Sequence, residues 1–244
     1  MKTIKHIILL TFCASILFFT SSCDKDNNSK INYSSYVTIS KSFSFGEYSF
    51  FSDDSLLFTV NNMSEFSGFD FERDEQRAII YFNLSDTQSS SDENQINIDL
   101  TQIQPILTKD IIKTDKDTMA TDPLTINQIW ISNGGANVKT YINISFSISV
   151  TYGAEHSIDL YDDLTADQAS ENLPIDENGY YHLILSHNAN DDSGFSYTYL
   201  TSFALNNEIL ADNVKGIKLQ IDSTGSDADD QGHKVYTIDF ENEN

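Results

Sequence analysis

Apolar and polar residues alternate along much of this chain, most regularly between Tyr141 and Val150. In this segment every second residue is apolar: Ile142, Ile144, Phe146, Ile148 and Val150. A period of two puts these side chains on one face of a β-strand and the polar ones on the other. The segment therefore predicts a strand with one buried face, as found in antiparallel sheets.

The same period recurs elsewhere in the chain. Further strands are predicted in 95–101, 181–187, 217–221 and 236–240. Turn-forming clusters separate them at 133–135, 177–179, 190–194 and 222–232, where Asn-Gly and similar pairs supply the positive φ that hairpins need. Helical signals are scarce, and only 164–171 predicts a turn or two of helix. Six or more strands after residue 120 predict a β-sandwich.

The first half predicts a different, smaller sheet. Four segments, 36–45, 48–60, 77–84 and 95–103, carry strand patterns, which fits a curled sheet of the five-stranded type. The Asp-rich, charged stretch 109–121 follows, with Pro123 close behind it. We interpret this stretch as the junction between two domains.

The N-terminus indicates an exported, lipid-anchored protein. Two lysines precede an apolar run, 7–19, that is too short to span a bilayer. Three small polar residues then lead to Cys23, although Thr20 occupies the place where a lipobox usually has Leu. We predict a signal peptide over 1–22, acylation of Cys23 with palmitate-type chains, and a tether over 23–32. Three acyl chains would hold the protein permanently on a membrane; the alternative is an ordinary cleaved signal that contains a cysteine.

Composition narrows the classes of function further. The chain has two cysteines, of which Cys13 would leave with the signal and Cys23 would carry lipid. No thiol would remain for disulfides, metal sites or nucleophilic catalysis. With 14 basic against 37 acidic residues, the formal net charge is −23, which argues against nucleic acid as a partner.

Two stretches of sequence resemble a known family. The segments 106–112 (ILTKDII), 122–124 (DPL) and 129–131 (IWI) are similar to the central signature of the NigD-like lipoproteins, and 183–190 (LILSHNAN) to their second signature. The resemblance implies an all-β protein with an N-terminal OB-like barrel and a C-terminal immunoglobulin-like β-sandwich. We place the barrel at 33–110, the junction at 111–123 and the sandwich at 124–244. The family is named after a bacteriocin-associated operon and has no established activity, so no catalytic residues carry over.

Two places are candidate binding sites. Trp130, the only tryptophan, is either a stacking platform for a ligand or, as is commoner, a packing residue at a domain interface. His187, Asn188, Asn190 and Asp191 lie where a strand ends. They form either a polar binding loop or a set of side chains that hydrogen-bond the hairpin backbone, and the second interpretation is favoured.

The acidic turns of the sequence are candidate calcium-binding sites. Four aspartates, Asp222, Asp227, Asp229 and Asp230, lie in one turn, and shorter acidic stretches occur at 53–54 and 190–193. Calcium binds such oxygen ligands, but the spacing is not that of an EF-hand, so a solvated acidic hairpin is favoured and no cofactor is expected.

The sequence contains none of the common catalytic motifs. There is no Gly-x-Ser-x-Gly elbow, no phosphate-binding loop and no zinc spacing among the histidines. We therefore expect a non-enzymatic lipoprotein of the outer membrane, facing the cell surface or the periplasm, that binds an envelope protein or glycan. The alternatives are bacteriocin self-protection, by family analogy, and a carboxylate-based hydrolase.

Overall fold

A computed structural model describes residues 32–41, 48–66, 74–86, 94–113, 119–120, 122–132, 138–151, 153–163, 174–222 and 232–240. In these residues the protein is all-β, apart from a short 3₁₀ turn at Met63–Phe66. The turn or two of helix expected at 164–171 lies outside the described residues. So do Cys23 and most of the tether.

The N-terminal strands close into a five-stranded barrel. They are β1 (Tyr33–Lys41), β2 (Tyr48–Ser52), β3 (Leu57–Val60), β4 (Glu75–Leu84) and β5 (Gln95–Pro105). Their order around the barrel is β1-β2-β3-β5-β4, with β4 returning to β1 and β3 parallel to β5. This order is that of an OB-like barrel, which confirms the prediction for the N-terminal half.

The barrel interior is filled by alternating side chains. Ten buried apolar residues form its core: Val37, Ile39, Phe50, Phe58, Ala78, Ile80, Phe82, Ile98, Leu100 and Ile103. In β4, Ala78, Ile80 and Phe82 point inward, so the residues between them point out of the barrel. Arg77 therefore leaves the barrel on its outer side.

Eight further strands form a sandwich of two four-stranded sheets. They are β6 (Leu107–Asp110), β7 (Thr125–Ser132), β8 (Tyr141–Val150), β9 (Ser157–Asp162), β10 (Tyr180–Asn188), β11 (Phe195–Ala204), β12 (Gly216–Asp222) and β13 (His233–Asp239). The first sheet has the order β6-β11-β8-β7 and the second β13-β12-β10-β9. The predicted C-terminal sandwich is thereby confirmed.

The apolar side chains of β8 lie in the core of the sandwich, as the alternation in its sequence predicts. Ile142, Ile144, Phe146 and Ile148 are buried between the sheets and meet residues of the second sheet such as Leu183. The polar face of β8 is not wholly solvated, because the barrel packs against part of it. Asn143 is fully buried there.

The exact domain boundaries remain predictions. Within the segment that we assigned to the barrel, β6 pairs in parallel with β11 of the first sheet. In the segment that we assigned to the junction, Ile112 forms a bridge with Tyr161 of β9. The chain thus enters the sandwich directly from the last barrel strand.

Candidate functional site

A buried arginine holds the barrel and the sandwich together. Arg77 is 0% exposed and donates two parallel hydrogen bonds to Asp53, from Nη1 to Oδ1 at 2.6 Å and from Nη2 to Oδ2 at 2.7 Å. Asp53 lies in the turn between β2 and β3. A bidentate, charge-assisted pair of this kind fixes both side chains in one geometry.

The same pair reaches into the first sheet of the sandwich. Arg77 Nη2 donates to Asn143 Oδ1 at 3.2 Å, and Ser202 Oγ donates to the same oxygen at 2.6 Å. Trp130 Nε1 donates to Asp53 Oδ2 at 2.8 Å. We call these five residues the junction network. Because its members come from β4, the β2–β3 turn, β7, β8 and β11, it positions Trp130 against the mouth of the barrel.

A cavity of about 460 Å³ opens beside this network. We call it the junction pocket; it is lined by Tyr33, Ser34, Ser35, Tyr36, Asp53, Asp54, Leu56, Phe58, Phe82, Leu84, Ile96, Gln128 and Trp130. The Tyr36 and Trp130 rings lie 5.1 Å apart, tilted by 53°, and Tyr36 is 40% exposed. None of the described residues lining the pocket is Lys or Arg.

The electrostatics of the pocket favour neutral or cationic ligands. Burial raises the pKa of Tyr36, and the nearby Asp53 carboxylate raises it further, so its hydroxyl stays protonated and can donate. Both oxygens of Asp53 already accept hydrogen bonds from Arg77. The pocket thus offers aromatic faces, a tyrosine hydroxyl, an amide at Gln128 and the carboxylate of Asp54.

A second cavity, of about 470 Å³, lies between the two sheets of the sandwich. We call it the sandwich cleft; its lining includes Phe146, Ile148 and Tyr199 of the first sheet and His156 and His187 on the side of the second. The two pockets share no lining residue. Trp130 and His187 are therefore parts of different sites.

Two histidines and an aspartate form a chain beside the sandwich cleft. His187 Nε2 is 3.0 Å from His156 Nδ1, and His156 Nε2 is 3.0 Å from Asp192 Oδ2. Hydrogen bonds from Thr151 and His156 lower the pKa of Asp192, so it is a carboxylate and accepts from His156. The two rings share a hydrogen bond between His156 Nδ1 and His187 Nε2, in which the nitrogen that carries the proton is the donor.

His187, at the end of this row of three side chains, resists protonation. Burial lowers the pKa of His187, whose Nδ1 lies 3.3 Å from the carbonyl oxygen of Asp122. No described Ser, Thr or Cys hydroxyl or thiol forms a hydrogen bond with His187 in this arrangement, so it resembles a structural relay rather than a nucleophile–base pair.

Comparison with known proteins assigns the fold to a family. Residues 102–239 match the model of the NigD-like C-terminal β-sandwich domain, which is more than half of the chain. The chain belongs to the NigD-like family. No curated protein matches the chain.

Solved structures share the fold of this NigD-like chain at low identity. A "Putative TOXIN related protein" from Parabacteroides distasonis is 21% identical, with 86% of this chain and 93% of that chain covered and a TM-score of 0.61. A "Putative lipoprotein" from Bacteroides fragilis is 11% identical (88% and 100% covered, TM-score 0.58). A NigD-like immunity protein from Bacteroides caccae is 17% identical (85% and 92% covered, TM-score 0.56). Within the described residues of the NigD-like chain, no helix has the length and apolarity to cross a bilayer.

The hairpin residues of the NigD-like second signature are engaged with their own loop. Asn188 Oδ1 accepts from the backbone N–H of Asn190, and Asn190 Nδ2 donates to the Glu155 carbonyl at 2.6 Å. Asn190 and Asp191 have φ angles of 48° and 63°, a left-handed conformation that Asn and Asp tolerate. These side chains shape the loop next to His187.

The acidic turn is described only at its start. Asp222 Oδ1 lies 2.6 Å from His233 Nδ1, which ties the two ends of the β12–β13 connection together. Asp227, Asp229 and Asp230 lie outside the described residues. In the part of the chain that the structure describes, no group of three or more His, Cys, Asp or Glu side chains is arranged to hold a metal ion.

Sequence reasoning missed the centre of the junction network. Arg77 is a single cation inside an apolar strand pattern, EQRAIIYFNL, and this is the sequence feature that could have indicated the network. A charge in such a strand needs a partner, which pattern alone cannot name. Asp53 was noted only as part of an acidic stretch, and Asn143 only as a polar residue of an outer strand face.

Proposed function

We propose that this protein is a non-catalytic, lipid-anchored binding module of the cell envelope, and that the junction pocket receives a glycan. The observation that carries the proposal is the tilted pair of Tyr36 and Trp130 above a carboxylate-edged pocket. The pocket volume of about 460 Å³ falls in the range of ligand sites.

Sugars match this pocket chemically. Their C–H faces pack on aromatic rings, and their hydroxyls donate to carboxylates and accept from groups such as the Tyr36 hydroxyl. Phosphate-bearing ligands do not match, because no described lining residue is cationic while Asp53 and Asp54 both line the pocket. The pocket therefore disfavours anionic ligands, and the ligand that we propose is a sugar without negative charge.

Catalysis by these carboxylates is disfavoured by their bonding. A glycosidase needs one carboxyl group that stays protonated and one that acts as base or nucleophile. Both oxygens of Asp53 are engaged by Arg77, and one of them also by Trp130. Because these bonds occupy the carboxylate in joining the two domains, we assign Asp53 no acid–base role.

Lipid anchoring at Cys23 in the outer membrane is the second part of the proposal. It rests on the signal-like N-terminus and on membership of a family whose structural neighbours include one described as a "Putative lipoprotein". Labelling with a clickable palmitate analogue tests it: wild type should carry label in the outer-membrane fraction, and Cys23→Ser should not. Protease shaving of intact cells then decides between the surface and periplasmic faces.

A glycan array tests the pocket itself. Purified protein beginning at Asp24 is compared with Tyr36→Phe, which keeps the ring, and Tyr36→Ala, which removes it. We expect Tyr36→Phe to retain the glycans bound by wild type and Tyr36→Ala to lose them. No glycan bound by wild type, or the same glycans bound by both variants, would contradict the proposal.

Self-protection against a bacteriocin is the second candidate. The observation in its favour is family membership, together with the likeness to a protein described as a NigD-like immunity protein in Bacteroides caccae. If it is correct, deletion of the gene should sensitise cells to a toxin encoded beside it. Unchanged sensitivity would remove this candidate without touching the glycan proposal.

A further inference from the structure

One strand of the sandwich has an open edge over more than half of its length. β11 pairs with β8 from Phe195 to Ala204, but with β6 only from Thr201 to Ala204. On the side away from β8, the stretch 195–200 has no strand partner within the described residues. Its outward N–H and C=O groups are a template for another strand.

This edge lacks the features that normally keep edges from pairing. β11 reads FSYTYLTSFA, with no charged residue and no proline. The edge strands of the two sheets differ from it: β6 carries Lys109 and Asp110, β13 carries Lys234 and Asp239, β9 carries Asp159 and Asp162, and the pairing of β7 with β8 is interrupted by a bulge. Charges and bulges are how natural sheets prevent edge pairing, so the open part of β11 is the exception.

Exposed aromatic rings mark the same edge. Phe195, Tyr197 and Tyr199 are 81%, 53% and 41% exposed and, being two residues apart, lie on one face of the strand. Only Tyr199 of the three has a ring neighbour among the described residues, Phe146 at 6.2 Å. The face continues into the sandwich cleft, which Tyr199 also lines.

The occupant that fits this edge is a second copy of the chain. A protein of net charge −23 repels its own copies over most of its surface. Ten consecutive uncharged residues in β11 let two copies meet with no like charges directly opposed. A strand that pairs with itself about a two-fold axis forms an isologous interface, the commonest kind in homodimers.

We propose that two copies of this protein pair antiparallel along β11, with Tyr197 opposite Tyr197 of the second copy at the two-fold axis. In this register Phe195 faces Tyr199 of the second copy, so all six rings lie on one face. The two first sheets become one continuous sheet, and the aromatic face joins the two sandwich clefts.

Cysteine cross-linking of the full lipoprotein in membranes tests this register. Directly opposed residues of antiparallel strands have Cα atoms about 4.5–5.5 Å apart, within the span of a disulfide. After mild oxidation, Tyr197→Cys should give a disulfide-linked dimer on a non-reducing gel. Val235→Cys, equally exposed at 53% on edge strand β13, should stay monomeric, as should wild type.

Two further measurements keep the test decisive. Co-expressed Phe195→Cys and Tyr199→Cys chains should form the mixed disulfide, which fixes the register. In sedimentation velocity of the detergent-solubilised full chain, wild type and Val235→Lys should be dimers and Tyr197→Lys a monomer, with unchanged circular dichroism. A wild-type monomer, or equal cross-linking at positions 197 and 235, would overturn the proposal.

Discussion

Among single residues, Arg77 bonds both domains through one side chain. It is fully buried, and its guanidinium bonds Asp53, Thr38 and Asn143. Its Nε is buried without a hydrogen-bond partner among the described residues, which reduces the free energy that the network contributes to stability. Removal of its charge leaves the Asp53 carboxylate without a cationic partner, which is the expensive outcome for a buried ion pair.

Replacement of Arg77 should therefore destabilise the protein strongly. We expect Arg77→Met to lower the free energy of unfolding by about 3 kcal/mol or more in urea titrations, because Asp53 loses its cationic partner and Asn143 loses one of its two donors. Lys113→Met is the control, since Lys113 pairs with Glu208 at the surface and exposed pairs contribute about 0–1 kcal/mol. Similar losses in the two variants would contradict this account.

Asp162 should make stability fall as pH rises. It is 1% exposed, and burial raises its pKa, while among the described residues only one of its oxygens has a partner, the Tyr181 hydroxyl at 3.0 Å. Because the folded state favours the neutral acid, this contribution is complete below the unfolded pKa of about 3.9 and is lost as pH rises through the folded pKa.

The amide Asp162→Asn cannot ionise, so its melting temperature should not show this loss. We expect the variant to match or exceed wild type at pH 7, with the advantage disappearing toward pH 4. Melting curves across this range check it. An Asp162→Asn variant that is less stable than wild type at pH 7 would mean that the carboxylate is needed in its charged form.

For the strands and sheets, alternation predicted β8 and its inward face well. It failed for the outward face, because a polar residue such as Asn143 appears the same whether water or another domain covers it. The order of the strands in the barrel could likewise not be predicted from the alternation of apolar and polar residues, since the parallel pairing of β3 and β5 joins segments that are far apart in sequence. These contacts depend on tertiary packing, which a period of two does not encode.

The β12–β13 pair should be sensitive to one methyl group. A Cβ on Gly216 would lie 2.2 Å from the carbonyl oxygen of Ile238, so Gly216→Ala must push the strands apart. We expect a loss of roughly 1–3 kcal/mol and faster hydrogen exchange along β13. Gly153→Ala, which has open space around it and only the strain of a φ of +85°, should leave exchange in β13 unchanged.

Considered as a whole, the barrel and sandwich should unfold as one unit. The junction network joins them through the side chains of Arg77, Asn143 and Trp130. We expect a single calorimetric transition for wild type and two transitions for the double variant Arg77→Met/Asn143→Leu, which lacks the hydrogen bonds that Arg77 makes to Asp53 and Asn143. Two transitions already present in wild type would show that the network does not couple the domains.

Strand periodicity and turn residues are local signals, and from them the amino-acid sequence predicted the fold class and the two-part architecture. The family was predicted from the resemblance of the segments 106–112, 122–124, 129–131 and 183–190 to the NigD-like signatures. The sequence singled out Trp130 but not the pocket beside it, because Tyr36, Asp53 and Trp130 are brought together only by the docking of two domains. It also could not choose between a binding loop and a hairpin clamp for Asn188 and Asn190. That choice depends on hydrogen-bond partners such as the carbonyl of Glu155.

The central claim is that the junction pocket binds a glycan through its aromatic pair. The most direct measurement is isothermal titration of the strongest glycan from the array into wild type, Tyr36→Phe and Tyr36→Ala. We predict one site per chain in wild type, an affinity within a few-fold of wild type for Tyr36→Phe, and a loss of about tenfold or more for Tyr36→Ala, the equivalent of roughly 1.4 kcal/mol. Equal affinities in all three proteins would place the glycan elsewhere and contradict the account.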